Sequence, residues 1–112
     1  MATHGLLIEH QWCTGCQSCE IACRNEHGWD LNHHGIKVLE LGPFDYEGDG
    51  KVDWSFIAVP TSLCDLCADR VGKGEVPSCQ LHCLAGVIEY GPIEELAKKL
   101  AEKERRADIF IP

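Results

Sequence analysis

Eight cysteines carry the chemistry in this 112-residue sequence, and they fall into two quartets. Cys13, Cys16, Cys19 and Cys23 form C-x2-C-x2-C-x3-C, while Cys64, Cys67, Cys79 and Cys83 form C-x2-C-x11-C-x3-C. In a reducing compartment thiols stay reduced, so metal binding is a better use for them than a disulfide framework. Structural zinc usually takes two separated C-x2-C knuckles that each supply a turn. The first quartet has no such separation. Its first three cysteines recur every three residues, which fits a loop wrapped over three corners of an iron–sulfur cube, and the fourth is carried off on the following helix. Two [4Fe–4S] clusters are the leading reading, with zinc or a single cluster as the alternatives.

The first quartet matches the bacterial ferredoxin pattern, in which the last cysteine of each motif ligates the other motif's cluster. The expected sets are then Cys13, Cys16, Cys19 and Cys83 for one cluster, and Cys23, Cys64, Cys67 and Cys79 for the other. The halves repeat: Cys13 and Cys16 shift by 51 residues onto Cys64 and Cys67, and Cys19 and Cys23 by 60 onto Cys79 and Cys83. Crossed ligands would staple the halves together. That matters because only 25 residues are Val, Ile or Leu, a thin core for one small domain. Binding energy would also be folding energy, so the chain without clusters is expected to be largely unfolded.

The elements that must position these cysteines are short. Leu6-Leu7-Ile8-Glu9-His10 and Phe56-Ile57-Ala58-Val59 read as strand-like runs ahead of each motif. Gln17 to Glu26 reads as a helix presenting Cys19 and Cys23 on one side and ending at His27-Gly28. Ile36 to Leu41 and Val52 to Val59 read as a hairpin turning at Asp49-Gly50, and Val87 to Tyr90 as a last core strand. The expected fold is α+β, a pseudo-two-fold dicluster ferredoxin-like domain over 1–91 with a C-terminal helical extension over 92–112. In that extension Pro92 suits a helix start, and Ile93, Leu96, Ala97 and Leu100 form an apolar stripe. The helix is expected to reach about Arg106, docking its stripe on the protein's own sheet or on a partner subunit. The apolar end Asp108-Ile109-Phe110-Ile111-Pro112 is expected against another chain.

Eighteen acidic and ten basic side chains give a net charge of −8, the wrong sign for binding nucleic acid. No apolar run approaches the ~20 residues that cross a bilayer. Met1-Ala2-Thr3-His4-Gly5 has neither the basic region and apolar core of a secretory signal nor a twin arginine, so the cytoplasm is the expected location. Two cubes consume all eight thiolates and leave no open iron, which leaves one-electron relay as the chemistry and no catalytic residues of the chain's own. Eight thiolates on so acidic a chain oppose an added electron, so low potentials are expected. Gly15 is placed to let an amide approach sulfur. Trp12, Trp29 and Trp54 read as core packing and cluster shielding, His33 and His34 as loop residues, and His82 as a candidate to bond a cluster sulfur.

The segments from Cys13 to Cys23 and from Cys64 to Cys79 resemble the iron–sulfur electron-transfer (beta) subunits of the dimethyl-sulfoxide reductase, formate dehydrogenase and nitrate reductase class. The likeness covers roughly residues 5 to 91. The insertion between Cys67 and Cys79 is similar to that of subunits sitting beside a molybdenum- or tungsten-pterin chain. Family subunits commonly carry four clusters, whereas this chain has ligands for two. Ferredoxins place proline after the fourth cysteine, where Arg24 and Leu84 stand here. The resemblance implies an electron-transfer subunit of a hetero-oligomer, working between a pterin- or flavin-containing catalytic subunit and a second electron carrier. A free, soluble low-potential 2[4Fe–4S] ferredoxin is the alternative, and a zinc-stabilised interaction module a third.

Overall fold

A computed structural model of the chain describes residues 3–103 and 106–112. In chain order it has strand β1 (His4–Glu9), a 3-10 turn (His10–Trp12), helix α1 (Ser18–His27), strands β2 (Ile36–Phe44) and β3 (Asp53–Pro60), helices α2 (Ala68–Gly72) and α3 (Ser78–His82), strand β4 (Ile88–Pro92), helix α4 (Ile93–Ala101) and strand β5 (Ala107–Phe110). The result is an α+β fold of small elements, as the sequence implies.

β1 is the centre of a three-stranded antiparallel sheet in the order β4-β1-β5. Both faces of β1 are covered, one by the core cluster that takes Leu6 and Ile8 and the other by α4, which is why Leu6, Leu7 and Ile8 run together without polar alternation and are all buried. Leu6 pairs with Tyr90 on one side and Phe110 on the other, and Ile8 with Ile88 and Asp108. β2 and β3 form the expected hairpin, with buried Val38 opposite buried Ala58. Its loop is organised by Asp45, whose carboxylate accepts the amide hydrogens of Gly48 and Gly50.

Two expectations for the C-terminal part differ from the structure. The helix stops at Ala101, with Glu102 as its cap, because Lys103 is tied to Glu9 at 3.1 Å and the Arg106 carbonyl accepts the Gln11 amide. Residues 104 and 105, within the expected helix, lie outside the described residues. The apolar end forms β5 on the protein's own β1. α4 packs on the same sheet through fully buried Leu96. Its acids Glu94 and Glu95 stand in the first turn and its lysines in the last, the polarity the helix dipole favours.

The tryptophans also depart from expectation. Trp12 and Trp54 are 64% and 53% exposed, and only Trp29 packs against the core. Trp12 ends the short 3-10 turn, and Trp54 lies in the outer half of the hairpin, where its ring contacts Phe56 at a centroid distance of 5.9 Å.

Candidate metal centre

The cysteine loops are bent by residues in left-handed backbone conformations. In the first, Gly15 has φ +72° and Gln17 φ +64°; in the second, Leu66 and Cys67 have φ +60° and +52°. The 51-residue repeat maps Leu66 onto Gly15. A side chain there costs ~1–2 kcal/mol, and the Asp65 carboxylate, which accepts the Cys67 amide at 2.9 Å, helps hold the turn. Backbone strain of this kind clusters at functional sites.

Each loop feeds a helix. Cys19 and Cys23 stand one turn apart on α1; Cys79 lies on α3 and Cys83 caps its end. α1 and α3 lie side by side, joined where the Ser78 hydroxyl donates to the Ala22 carbonyl at 3.2 Å. This juxtaposition sorts the eight sulfurs between two cavities. One is walled by Cys13, Cys16, Cys19 and Cys83 with Val38 and Ala58. The other is walled by Cys23, Cys64, Cys67 and Cys79 with Leu6 and Ile36. Each quartet draws three cysteines from one motif and one from the other.

The donor set can be tested against the groups it might hold. One zinc ion needs its sulfurs within about 2.3 Å of a single point. Among the described residues, no three His, Cys, Asp or Glu side chains are placed to share one ion. The thiols instead stand around a space, as a multi-atom group with sulfur ligands at its corners requires. Their electrostatics fit the same group. Burial pushes Cys19 up to about 12, with the Cys13 charge adding to it. Burial and then the Cys67 and Cys64 charges push Cys23 up to about 11. Cys79 is raised further, again chiefly by burial, and burial also raises Cys13, Cys64 and Cys67. Such thiols become thiolates when a cationic centre replaces the water they lack.

Backbone amides complete each ligand's surroundings. Gly15 donates to the Cys13 sulfur, as the sequence suggested, Leu66 to Cys64, Ser78 to Cys67 and Gly35 to Cys23. The Val87 amide lies 3.5 Å from the Cys83 sulfur. Gly35 has a second constraint, because a Cβ there would stand 2.5 Å from the Cys23 sulfur. Cys16 is the exposed member of the set. Bonds from the Ser18 hydroxyl and amide, together with the Leu84 amide, lower its pKa.

His82 bonds no cysteine sulfur among the described residues and lines a surface groove instead. The histidine beside a sulfur is His27, which the sequence reading did not single out. Its Nδ1 lies 3.8 Å from the Cys23 sulfur and 2.9 Å from the Cys23 carbonyl, its Nε2 lies 3.2 Å from Asp65, and its ring stacks on Trp29. Its place one helical turn after Cys23 was the available signal. His33 pairs with Asp30, and His34 stands near Arg24 and Glu20, in the loop that enters β2.

No family model matches the chain. Over 91 residues, 79% of its length, it is 29% identical to the B subunit of the anaerobic dimethyl sulfoxide reductase of Haemophilus influenzae, covering 41% of that protein. It is 27% identical over 94 residues, 84% of its length, to the subunit of the same name from Escherichia coli, covering 34% of it. Over 46 residues, 41% of its length, it is 41% identical to the formate dehydrogenase iron–sulfur subunit of Haemophilus influenzae, covering 14% of that subunit. The chain thus spans about two fifths or less of the length of these curated relatives. They bear out the resemblance to iron–sulfur subunits of this oxidoreductase class, and with the eight cysteines they support iron–sulfur clusters as the bound group. No helix among the described residues is long and apolar enough to cross a membrane.

Proposed function

We propose that this chain is an electron-transfer subunit of a larger oxidoreductase, holding two [4Fe–4S] clusters in a pseudo-two-fold, ferredoxin-like arrangement. Cys13, Cys16, Cys19 and Cys83 hold one cluster; Cys23, Cys64, Cys67 and Cys79 hold the other. The observation that carries this reading is the pair of cavities, each walled by four thiols drawn from both motifs. Each cluster supplies one-electron redox chemistry, with every iron already ligated by the protein. The chain's own residues set the conditions. Apolar walls from Leu6, Ile36, Val38 and Ala58 keep water out. The amides of Gly15, Gly35, Leu66, Ser78 and Val87 stabilise negative charge on sulfur, which tunes potential. The acidic body opposes added electrons and favours low potentials. The partners are a pterin- or flavin-containing catalytic subunit and a second electron carrier.

Anaerobic purification tests the reading. About eight irons per chain and a reducible paramagnetic signal are expected. Cys83→Ala and Cys23→Ala should each cost about half the iron and leave different residual signals. Far fewer irons in the unaltered chain, or loss of the same signal in both variants, would overturn it. The net charge of −8 favours a second reading, a free ferredoxin docking through charge. Its exchange rate with a partner would collapse with rising salt, whereas a subunit held by apolar contacts would not respond.

A further inference from the structure

The thiols differ in their access to the surface, and the exposed one lies beside a groove. Cys19, Cys23, Cys67 and Cys79 are each 7% exposed, whereas Cys16 is open to solvent. The Ser18 hydroxyl oxygen lies 3.4 Å from the Cys16 sulfur, and Leu84 directly follows Cys83, which walls the same cavity as Cys16. Ser18 and Leu84 also line an open groove of about 440 Å³ between α1 and α3. Ile21 and Leu84 stand in it half-exposed and largely exposed. Large apolar side chains that flank an opening mark docking surfaces. The lining residue with a fixed charge is an acid, Glu26; it shares the Arg70 guanidinium with Glu75, at 3.7 and 3.2 Å, so the carboxylates there outnumber the cation, on a body with net charge −8.

We infer that the groove beside Cys16 is the electron-exchange dock for a redox protein that presents an apolar knob within a basic rim. The inference rests on the cluster reading and adds the point of contact. Ile21 and Leu84 receive the knob, which brings the partner's redox centre to the sulfur with the least protein in front of it. Glu26 and the surrounding acidic body attract the basic rim and raise the encounter rate.

The reduced protein mixed with oxidised cytochrome c, a basic protein with an exposed haem edge, gives the readout in a stopped-flow spectrometer. Ile21→Ser and Ile21→Asn leave charge unchanged and lie at the surface. Each should slow cytochrome reduction by about tenfold, while iron content, midpoint potential and reaction with the small oxidant methyl viologen stay as in the unaltered chain. Leu39→Ser, on the exposed part of the hairpin, should change the rate less than about twofold. Intact clusters with unaltered cytochrome rates in both groove variants would overturn the dock alone. So would a rate loss confined to Leu39→Ser, which would put the contact on the hairpin. A chain without clusters would overturn the underlying reading and the dock with it.

Discussion

Gly35→Ala tests how closely the protein surrounds a ligand sulfur. The added Cβ would stand 2.5 Å from the Cys23 sulfur and 3.0 and 3.4 Å from two ring carbons of Trp29. Comfortable non-bonded contact begins near ~3.5 Å, so the sulfur would have to retreat by about 1 Å. The backbone at Gly35 is outside the left-handed region, so an alanine there suffers from the contact alone. Overpacking costs about 1–3 kcal/mol. Disturbing the Gly35 amide bond to a charged sulfur costs about 1.5–3 kcal/mol more. Together these reach about 2.5–6 kcal/mol, a loss of roughly sixty-fold to about twenty-thousand-fold in affinity for the group at Cys23. The assay is the loss of visible absorbance and iron when the anaerobic protein is challenged with a chelator. Gly72→Ala is the control, because nothing lies within 4 Å of its added Cβ. The expected result is loss of about half the iron in Gly35→Ala, with the Cys13 quartet still loaded, and unaltered behaviour in the control. A Gly35→Ala chain that keeps its full iron and bleaches at the unaltered rate would refute the placement of Cys23 on the cavity wall.

Glu20 is buried beside Cys19, accepts the Val38 amide at 2.8 Å and pairs with Lys37 at 3.4 Å. Glu20→Ala leaves that amide unpaired and should cost ~1–3 kcal/mol in denaturant unfolding of the loaded protein, while Glu20→Gln should lose less and raise the midpoint potential of the cluster at Cys19, read by redox titration. Ser78→Ala removes the hydroxyl bond that joins α3 to α1 and should cost about 1 kcal/mol by the same unfolding measurement. Leu96→Ala empties a site that is 1% exposed and should cost ~2–5 kcal/mol, with faster amide exchange in β4 and β5. Stripping iron with a chelator should abolish most of the far-ultraviolet circular dichroism.

Much of the arrangement could be read in the chain because it is local. Spacing places Cys19 and Cys23 on one helix face, the run Leu6-Leu7-Ile8 marks a strand covered on both sides, and Asp49-Gly50 falls in the hairpin loop. What could not be read depends on contacts distant in sequence. The early end of α4 comes from Glu9 and Gln11, which lie near the opposite end of the chain. β5 exists because β1 has a free edge to pair with. His27 has the same residue type as His82, and only the tertiary position of Asp65 and Trp29 fixes its ring beside a sulfur. Residue type alone also misleads for Trp12 and Trp54, whose size suggests burial but whose neighbours leave them in water. The insertion between Cys67 and Cys79 folds partly on itself, with Arg70 bonded to the Val76 carbonyl and paired with Glu75.

Most of the apolar core also walls the two cavities. Leu6 and Ile36 line one cavity, Val38, Ala58, Val87 and Ile88 the other, and all six belong to the single buried cluster that also contains Cys19, Cys23 and Cys79. Outside that cluster the buried apolar side chains are few, Leu7 on β1 and Leu96 on α4 among them. Water entering the emptied cavities would meet mostly aliphatic groups, and collapse around them would drag β1 and the base of the hairpin out of register. A strand pairing that slips by one residue exchanges its buried face for its exposed one, so small movements here are not tolerated. The fold and the metal sites therefore stand or fall together. A substitution at Ile36 or Val38 should appear first as lost iron and only then as lost secondary structure, because the cavity wall fails before the backbone ladder that supports it.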